Sequence, residues 1–284
     1  MTERKTTVSS IIVRLFGSIW ARRVVLYLFA IWCLFPLYWI FLTALKTPIQ
    51  AMSRPPSFWF EATLENFEKV LADPAILDFF IDSAIVAAGS TILSLLIGAP
   101  TAYILARFHF KGRGDFGFWI LSTRMTPPVA MLIPFFVLFF QLGLLDTHIG
   151  LIIAHVVLNL AIVVWLLRGF FSELPVELEE AAYLDGDTYF SAFFRITLPL
   201  ALPGLASVGI LIFLLSWNEF LFALVLGDSE VRTVPIGLYG FIGYQTIRWA
   251  ELSASAALMI VPIIIFIVIF QRHLLRGLTM GSYR

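Results

Sequence analysis

IGLIIAHVVLNLAIVVWLL, residues 149–167, is a run of nineteen residues without an Asp, Glu, Lys or Arg. A helix rises about 1.5 Å per residue, and the roughly 30 Å hydrocarbon core of a bilayer needs about 20 apolar residues to cross it. A run of this length and purity reads as a transmembrane helix. Five further stretches have the same character: 24–45, 79–106, 116–142, 200–226 and 252–270. Several exceed the minimum length, which predicts tilt without fixing its angle. The predicted fold class is all-α, an integral membrane protein with six transmembrane helices.

Composition agrees. The 284 residues are 60% hydrophobic and 13% charged, with a mean hydropathy of +0.92. Soluble domains are about 45–50% apolar and about 25% charged, so a soluble globular enzyme is excluded. Nineteen basic residues balance nineteen acidic ones, leaving no basic excess for nucleic acid. The single cysteine, Cys33, lies in an apolar run and reads as a packing residue. No Cys/His cluster suggests a metal site, and no residue is singled out as catalytic.

Lysine and arginine set the orientation. Thirteen fall in the N-terminal tail, the second-to-third and fourth-to-fifth connections and the C-terminus. Five (Lys46, Arg54, Lys69, Arg232 and Arg248) fall on the opposite side, and Arg124 lies within the third span. The positive-inside rule then predicts cytoplasmic termini. Residues 1–23 read as a cytoplasmic tail, with a short amphipathic helix over 8–21 or a disordered basic segment as its two readings. Residues 24–284 read as the transmembrane domain, with a core at about 75–275. Segments 46–78 and 227–251 face outward, the first with a short helix near 64–71.

The cytoplasmic loop at 172–199 is the most informative segment. Pro175 suits the first turn of a helix. Glu177, Glu179 and Glu180 crowd that helix's positive end, and Gly186 suits its stop. Asp187 or Thr188 can cap a second helix running through about Ile196, with Pro199 just beyond. Two short helices between two spans make either a docking knob or a plain connector.

The residues read Glu180-Ala181-Ala182, three residues, Gly186, nine residues, Ile196, one residue, Leu198-Pro199. This gapless pattern, in a cytoplasmic loop before the penultimate span, resembles the EAA loop of permease subunits in binding-protein-dependent ABC importers. With the six spans, Trp217-Asn218-Glu219 in the fifth and Gly277-Leu278-Thr279-Met280-Gly281 near the end, it is most similar to the smaller permease subunit of maltose-type sugar importers. The ending Ser282-Tyr283-Arg284 departs from that group, which puts a tail contact with the ATPase in question.

The resemblance implies half of a translocation pore in the bacterial inner membrane. It implies a second homologous permease subunit, a cytoplasmic ATPase dimer, an external sugar-binding protein and membrane lipid as partners. Glu180, Ala181, Ala182 and Gly186 would couple to the ATPase, Glu180 by pairing with a basic residue and Gly186 by permitting a sharp turn. The segment 227–249, with Gly237, Gly240 and Gly243, would approach the binding protein. No cofactor is implied in this chain itself; ATP and magnesium would be bound by the partner ATPase. The residues agree, because no G-x-x-x-x-G-K-[ST] loop exists and none of the four lysines follows a glycine.

Ionisable groups within spans cost about 2.5–3.5 kcal/mol on insertion scales and tend to face a cavity or a partner. Asp82, Arg124, His155 and Glu219 are the candidates. Arg124 stands roughly 13 Å into its span, beside a helix-breaking Met125-Thr126-Pro127-Pro128. His155 and Asn159 share one helical face. Arg124, Asn159, Trp217, Asn218 and Glu219 form a candidate substrate pathway; the other reading is hydrogen bonding that holds the pore together. Arg124 and Glu219, of opposite charge, are expected to pair. The 28 phenylalanines read as lipid-facing. Carbohydrate is the expected cargo, with a polyol or glycerol-phosphate compound as the alternative. A stand-alone secondary carrier is the reading from another class.

Overall fold

A computed structural model of the protein describes residues 19–243 and 246–279. Most of the 1–23 tail, nearly all of the 8–21 helix and residues 280–284 lie outside these. The chain forms two compact units, one of residues up to Val70 with Gly243–Ala257, the other of Leu71–Ile242 with the chain from Leu258 onward.

In the first unit, α1 (Ile19–Ala44) is long and apolar enough to cross a membrane, and none of its most apolar stretch is buried inside the chain. Its terminal carbonyls lack helical partners. Asn66, buried on α3 (Glu65–Leu71), supplies them, its Nδ2 donating to the carbonyls of Ala44 at 2.8 Å and Lys46 at 2.7 Å. The predicted 64–71 helix is α3. Between them α2 (Pro48–Ala51) starts in a capping box of Thr47 and Gln50.

In the second unit, α4 (Pro74–Arg107) and α7 (His148–Glu173) are unbroken, apolar and of spanning length. They pack against each other, and α11 (Leu202–Trp217) lies on both. The contact face of α4 carries a stripe of small residues at four-residue spacing: Ser90, Ser94, Gly98 and Ala102, all buried. A Cβ at Gly98 would stand 2.5 Å from Val163 Cγ1, and one at Gly89 would stand 2.6 Å from Ile152 Cδ1. Small residues let helix backbones approach closely where lipid gives no hydrophobic drive. Phe171, Leu167, Phe193 and Ile212 fill one cluster of this unit, and Val86, Phe139, Leu151 and Phe222 fill another.

Two expected spans are broken. The third is α5 (Arg113–Thr123) and α6 (Pro128–Leu142), bent by 89° where Pro127 and Pro128 follow Arg124. The fifth ends as a regular helix at Trp217 and resumes as α12 (Leu221–Leu226), which packs on α6 and α7. Between α7 and α11 come α8 (Glu177–Leu184), α9 (Tyr189–Ala192), a π-helical turn (Phe193–Thr197) and α10 (Leu198–Leu200). The run from α9 through α10 meets α11 at 73°. α13 (Val234–Tyr239) packs on α4. The last helix, α14 (Trp249–Thr279), is apolar over Trp249–Ile265.

Candidate functional site

The loop between α7 and α11 is built by caps. α8 ends in a Schellman turn: Asp187 N–H donates to the Ala182 carbonyl at 2.9 Å and Gly186 N–H to Tyr183 at 3.1 Å. Gly186 has φ +91, and nothing lies within 4 Å of where its Cβ would be. Glycine is needed here for its backbone conformation, not for space. Thr188 caps α9, its Oγ1 accepting from Ser191 N–H at 3.2 Å. Asp187 instead accepts from the Ser191 hydroxyl. The second helix does not run on regularly to Ile196. It widens to a π turn at Phe193–Thr197, just ahead of Pro199, which has no N–H for the Arg195 carbonyl. Pro175 stands two residues before α8, not inside its first turn.

The adjacent glutamates of α8 point opposite ways. Glu179 is 3% exposed. It accepts from Arg107 Nε at 2.9 Å and Tyr103 Oη at 2.8 Å, both on α4, and from Tyr183 Oη at 3.3 Å. Arg107 also donates to the Leu174 carbonyl. Burial, with the Glu179 charge beside it, raises the pKa of the Tyr183 phenol. Glu180 is exposed, and its carboxylate makes no hydrogen bond or ion pair with any described residue. Residues 179, 182 and 183 form the inner face of α8; Leu178, Glu180, Ala181 and Leu184 form the outer one. Leu184 on that outer face is exposed, as are Phe190 and Phe194 further along the loop.

Residues 94–280, which contain this loop, match the family described as binding-protein-dependent transport system inner membrane component. The chain belongs to that family. The probable ABC transporter permease protein y4oR of Sinorhizobium fredii is 38% identical, over 89% of this chain and 93% of its own. The trehalose/maltose transport system permease protein of Thermococcus litoralis is 33% identical, over 90% of this chain and 94% of its own. Among solved structures, a chain of a bacterial ABC transporter involved in import of the acidic polysaccharide alginate superposes with a TM-score of 0.76. It is 25% identical and covers 92% of this chain and 96% of that one.

In this inner membrane component the intramembrane polar residues are mostly spoken for. Arg124 and Glu219 do not pair. Arg124 Nη1 donates to the Leu158 carbonyl at 3.1 Å, at the open break between α5 and α6. Glu219 lies 3.3 Å from His155 Nε2. Its carboxylate also accepts from the N–H groups of Phe222 at 2.9 Å and Ala223 at 3.1 Å. It therefore caps α12 and satisfies backbone donors that the break leaves free in an apolar setting. Asn159 is buried and donates to Ser216 Oγ, which also accepts from Ser90. That bridge joins α7, α11 and α4. Trp217 is buried between Phe80 and Phe213. Of the five candidate pathway residues, Asn159 and Trp217 are helix-bridging and packing residues, while Arg124 and Asn218 are exposed and Glu219 partly so.

The sequence reading missed the fastening at the other end of α4. Asp82 contacts His148 at 2.7 Å and accepts from Arg232 N–H at 2.9 Å, and Ser83 Oγ accepts from Val234 N–H at 2.7 Å. Asp146 adopts φ 54, a conformation Asp tolerates better than most residues. There its carboxylate accepts from four successive N–H groups, Asp228, Ser229, Glu230 and Val231, at 2.8–3.0 Å. Gly237 is required by this internal packing, since a Cβ there would collide with the Phe79 ring.

Burial alone would raise the Asp146 pKa, but the four backbone donors outweigh it and hold the carboxyl at about 2, below its ordinary 3.8. A depressed carboxyl contributes stability above its unfolded value and loses it as pH falls through the folded one. The 228–231 turn should thus hold at neutral pH and loosen as pH drops from about 4 through about 2. Each hydrogen bond to a charged group contributes about 1.5–3 kcal/mol. Asp146→Ala should therefore speed amide exchange at 228–231 by about tenfold or more at pH 7, measured by hydrogen-exchange mass spectrometry. Unchanged exchange would remove Asp146 as the fastener.

Proposed function

We propose that this chain forms half of the translocation pore of an ATP-driven importer whose cargo is a carbohydrate handed over by an external binding protein. It pairs with a second, related permease subunit, and a separate ATPase dimer binds beneath and holds ATP and magnesium. The termini and the 172–199 loop lie on the cytoplasmic side, as the distribution of Lys and Arg supports.

The observation that carries this reading is the division between Glu179 and Glu180. A buried ion pair fixes α8 to α4, and the next carboxylate stands free on the outer face of α8 beside exposed Leu178, Ala181 and Leu184. A free charge beside exposed apolar residues is a docking surface for another protein. Glu180 thus engages a basic group in an ATPase cleft, Ala181 keeps the approach close, and Gly186 holds α9 at its angle to α8. ATP-driven closure of the ATPase pair moves the loop as one piece. The relatives transporting trehalose, maltose and alginate support carbohydrate as the cargo class. Arg124, Asn218 and Glu219 are the residues of this chain placed to meet it, at the two helix breaks.

Co-purification tests the reading. The tagged chain, extracted mildly from its native membrane, should bring down a second permease and an ATPase, identified by mass spectrometry. A chain that purifies alone, and transports after reconstitution without ATP, would make it a secondary carrier instead.

A further inference from the structure

Lys46 is 2% exposed. Its Nζ lies 4.9 Å from the centre of the Trp39 ring and 5.1 Å from that of Phe60. Among the described residues no carboxylate, carbonyl or hydroxyl accepts from it. Burial lowers its pKa. Buried charges are ordinarily paired, and two aromatic faces compensate an ammonium only in part.

The side chain borders a cavity of about 440 Å³ within the first unit, whose lining among the described residues includes Trp39, Thr43, Gln50, Trp249 and Ser253 and no acidic residue. Gln50 Oε1 accepts from Thr47 N–H, so Gln50 faces its surroundings with the Nε2 donor. The cavity therefore offers a cation and neutral donors without a counter-charge, the complement of an anion rich in oxygen. Lysine binds phosphate as a point charge.

The position in the chain selects the source of that anion. Lys46 follows the last residue of α1 by two positions, and the apolar surface of α1 is left uncovered by the rest of the chain. A residue just past the end of a spanning helix lies at headgroup level, where Trp is enriched. Trp39 and Trp249 both line the cavity. We propose that this cavity is a phospholipid site, in which Lys46 and Gln50 hold the headgroup phosphate and the acyl chains run along α1. The proposal does not depend on the cargo or on which leaflet α1 ends in.

The test uses the full chain with the subunits that accompany it from the membrane. After delipidation, phosphatidylglycerol is titrated back and bound lipid is counted by native mass spectrometry. Wild type should retain a lipid that Lys46→Met binds about tenfold more weakly. Gln50→Glu keeps the capping oxygen toward Thr47 and supplies the ammonium with an internal carboxylate, so it should expel the same lipid while folding normally. If Lys46→Met does not assemble, Gln50→Glu decides alone. Excess inorganic phosphate should compete weakly. Equal retention in wild type and Gln50→Glu would overturn the site. Full displacement by inorganic phosphate would overturn the lipid as its occupant, and so would a carboxylate from a neighbouring subunit found on Lys46 Nζ.

Discussion

Glu180→Lys is expected to abolish ATP-coupled uptake while leaving the amount of the chain in the membrane unchanged. The two halves of that outcome have separate causes. The Glu180 carboxylate has no partner among the described residues, so its loss should shift stability by no more than about 0.5 kcal/mol, as for an ordinary surface position. A docked charge pair is different. Truncating one partner of a desolvated interfacial pair costs about 2–5 kcal/mol, and reversing its sign adds repulsion. The expected fall in uptake is therefore thirtyfold or more, with ATP hydrolysis persisting unlinked to transport. Labelled-substrate uptake, ATPase activity and membrane abundance, measured in parallel, check it. Normal uptake would remove Glu180 from coupling. Loss of the chain from the membrane would show that its role is in folding.

Arg107→Ala should have the opposite profile. The Arg107–Glu179 pair is almost wholly buried, with side chains 9% and 4% exposed. Removing the guanidinium strands a carboxylate with only two phenols as donors, and breaking a buried pair from one side costs about 3–5 kcal/mol. That is a large share of the 5–15 kcal/mol by which domains are commonly stable. A sharp drop in thermal midpoint and in abundance is expected. Replacing both partners, Arg107→Met with Glu179→Gln, should recover most of the stability, because no charge is then left unpaired. Uptake should recover less, since α8 would no longer be held to α4. A single variant as stable as wild type would refute the assignment.

The contrast between these two residues also shows where sequence reading runs out. Of the six expected spans, α1, α4 and α7 are unbroken helices of spanning length, and they were legible because the bilayer imposes length and apolarity on the residues themselves. The bend at Arg124 was legible too, because Pro127 and Pro128 are local breakers. The break after Trp217 was not, since no proline marks it and the capping carboxylate of Glu219 gives no sign in the sequence of which donors it will meet. Opposite charge suggested Arg124 as its partner. The structure chose His155, whose shared helical face with Asn159 was a readable signal of an inward polar strip. The EAA spacing located the loop but could not say which glutamate turns inward. That depends on Arg107, 72 positions away. The small-residue stripe of α4 could have been found from its four-residue period, and it would have named α4 as a close-packing helix.

α4 is fastened toward both of its ends. At its C-terminal end Arg107 grips Glu179, and near its N-terminal end Asp82 and Ser83 grip the 232–234 segment. Its 34 residues form a shaft about 50 Å long, with α7 laid along it. A pushrod pinned this way would carry a displacement of the 172–199 loop to the 232–234 segment. An importer that must never open to both sides at once would gain an interlock from such a continuous helix, with no separate signal passing between its gates.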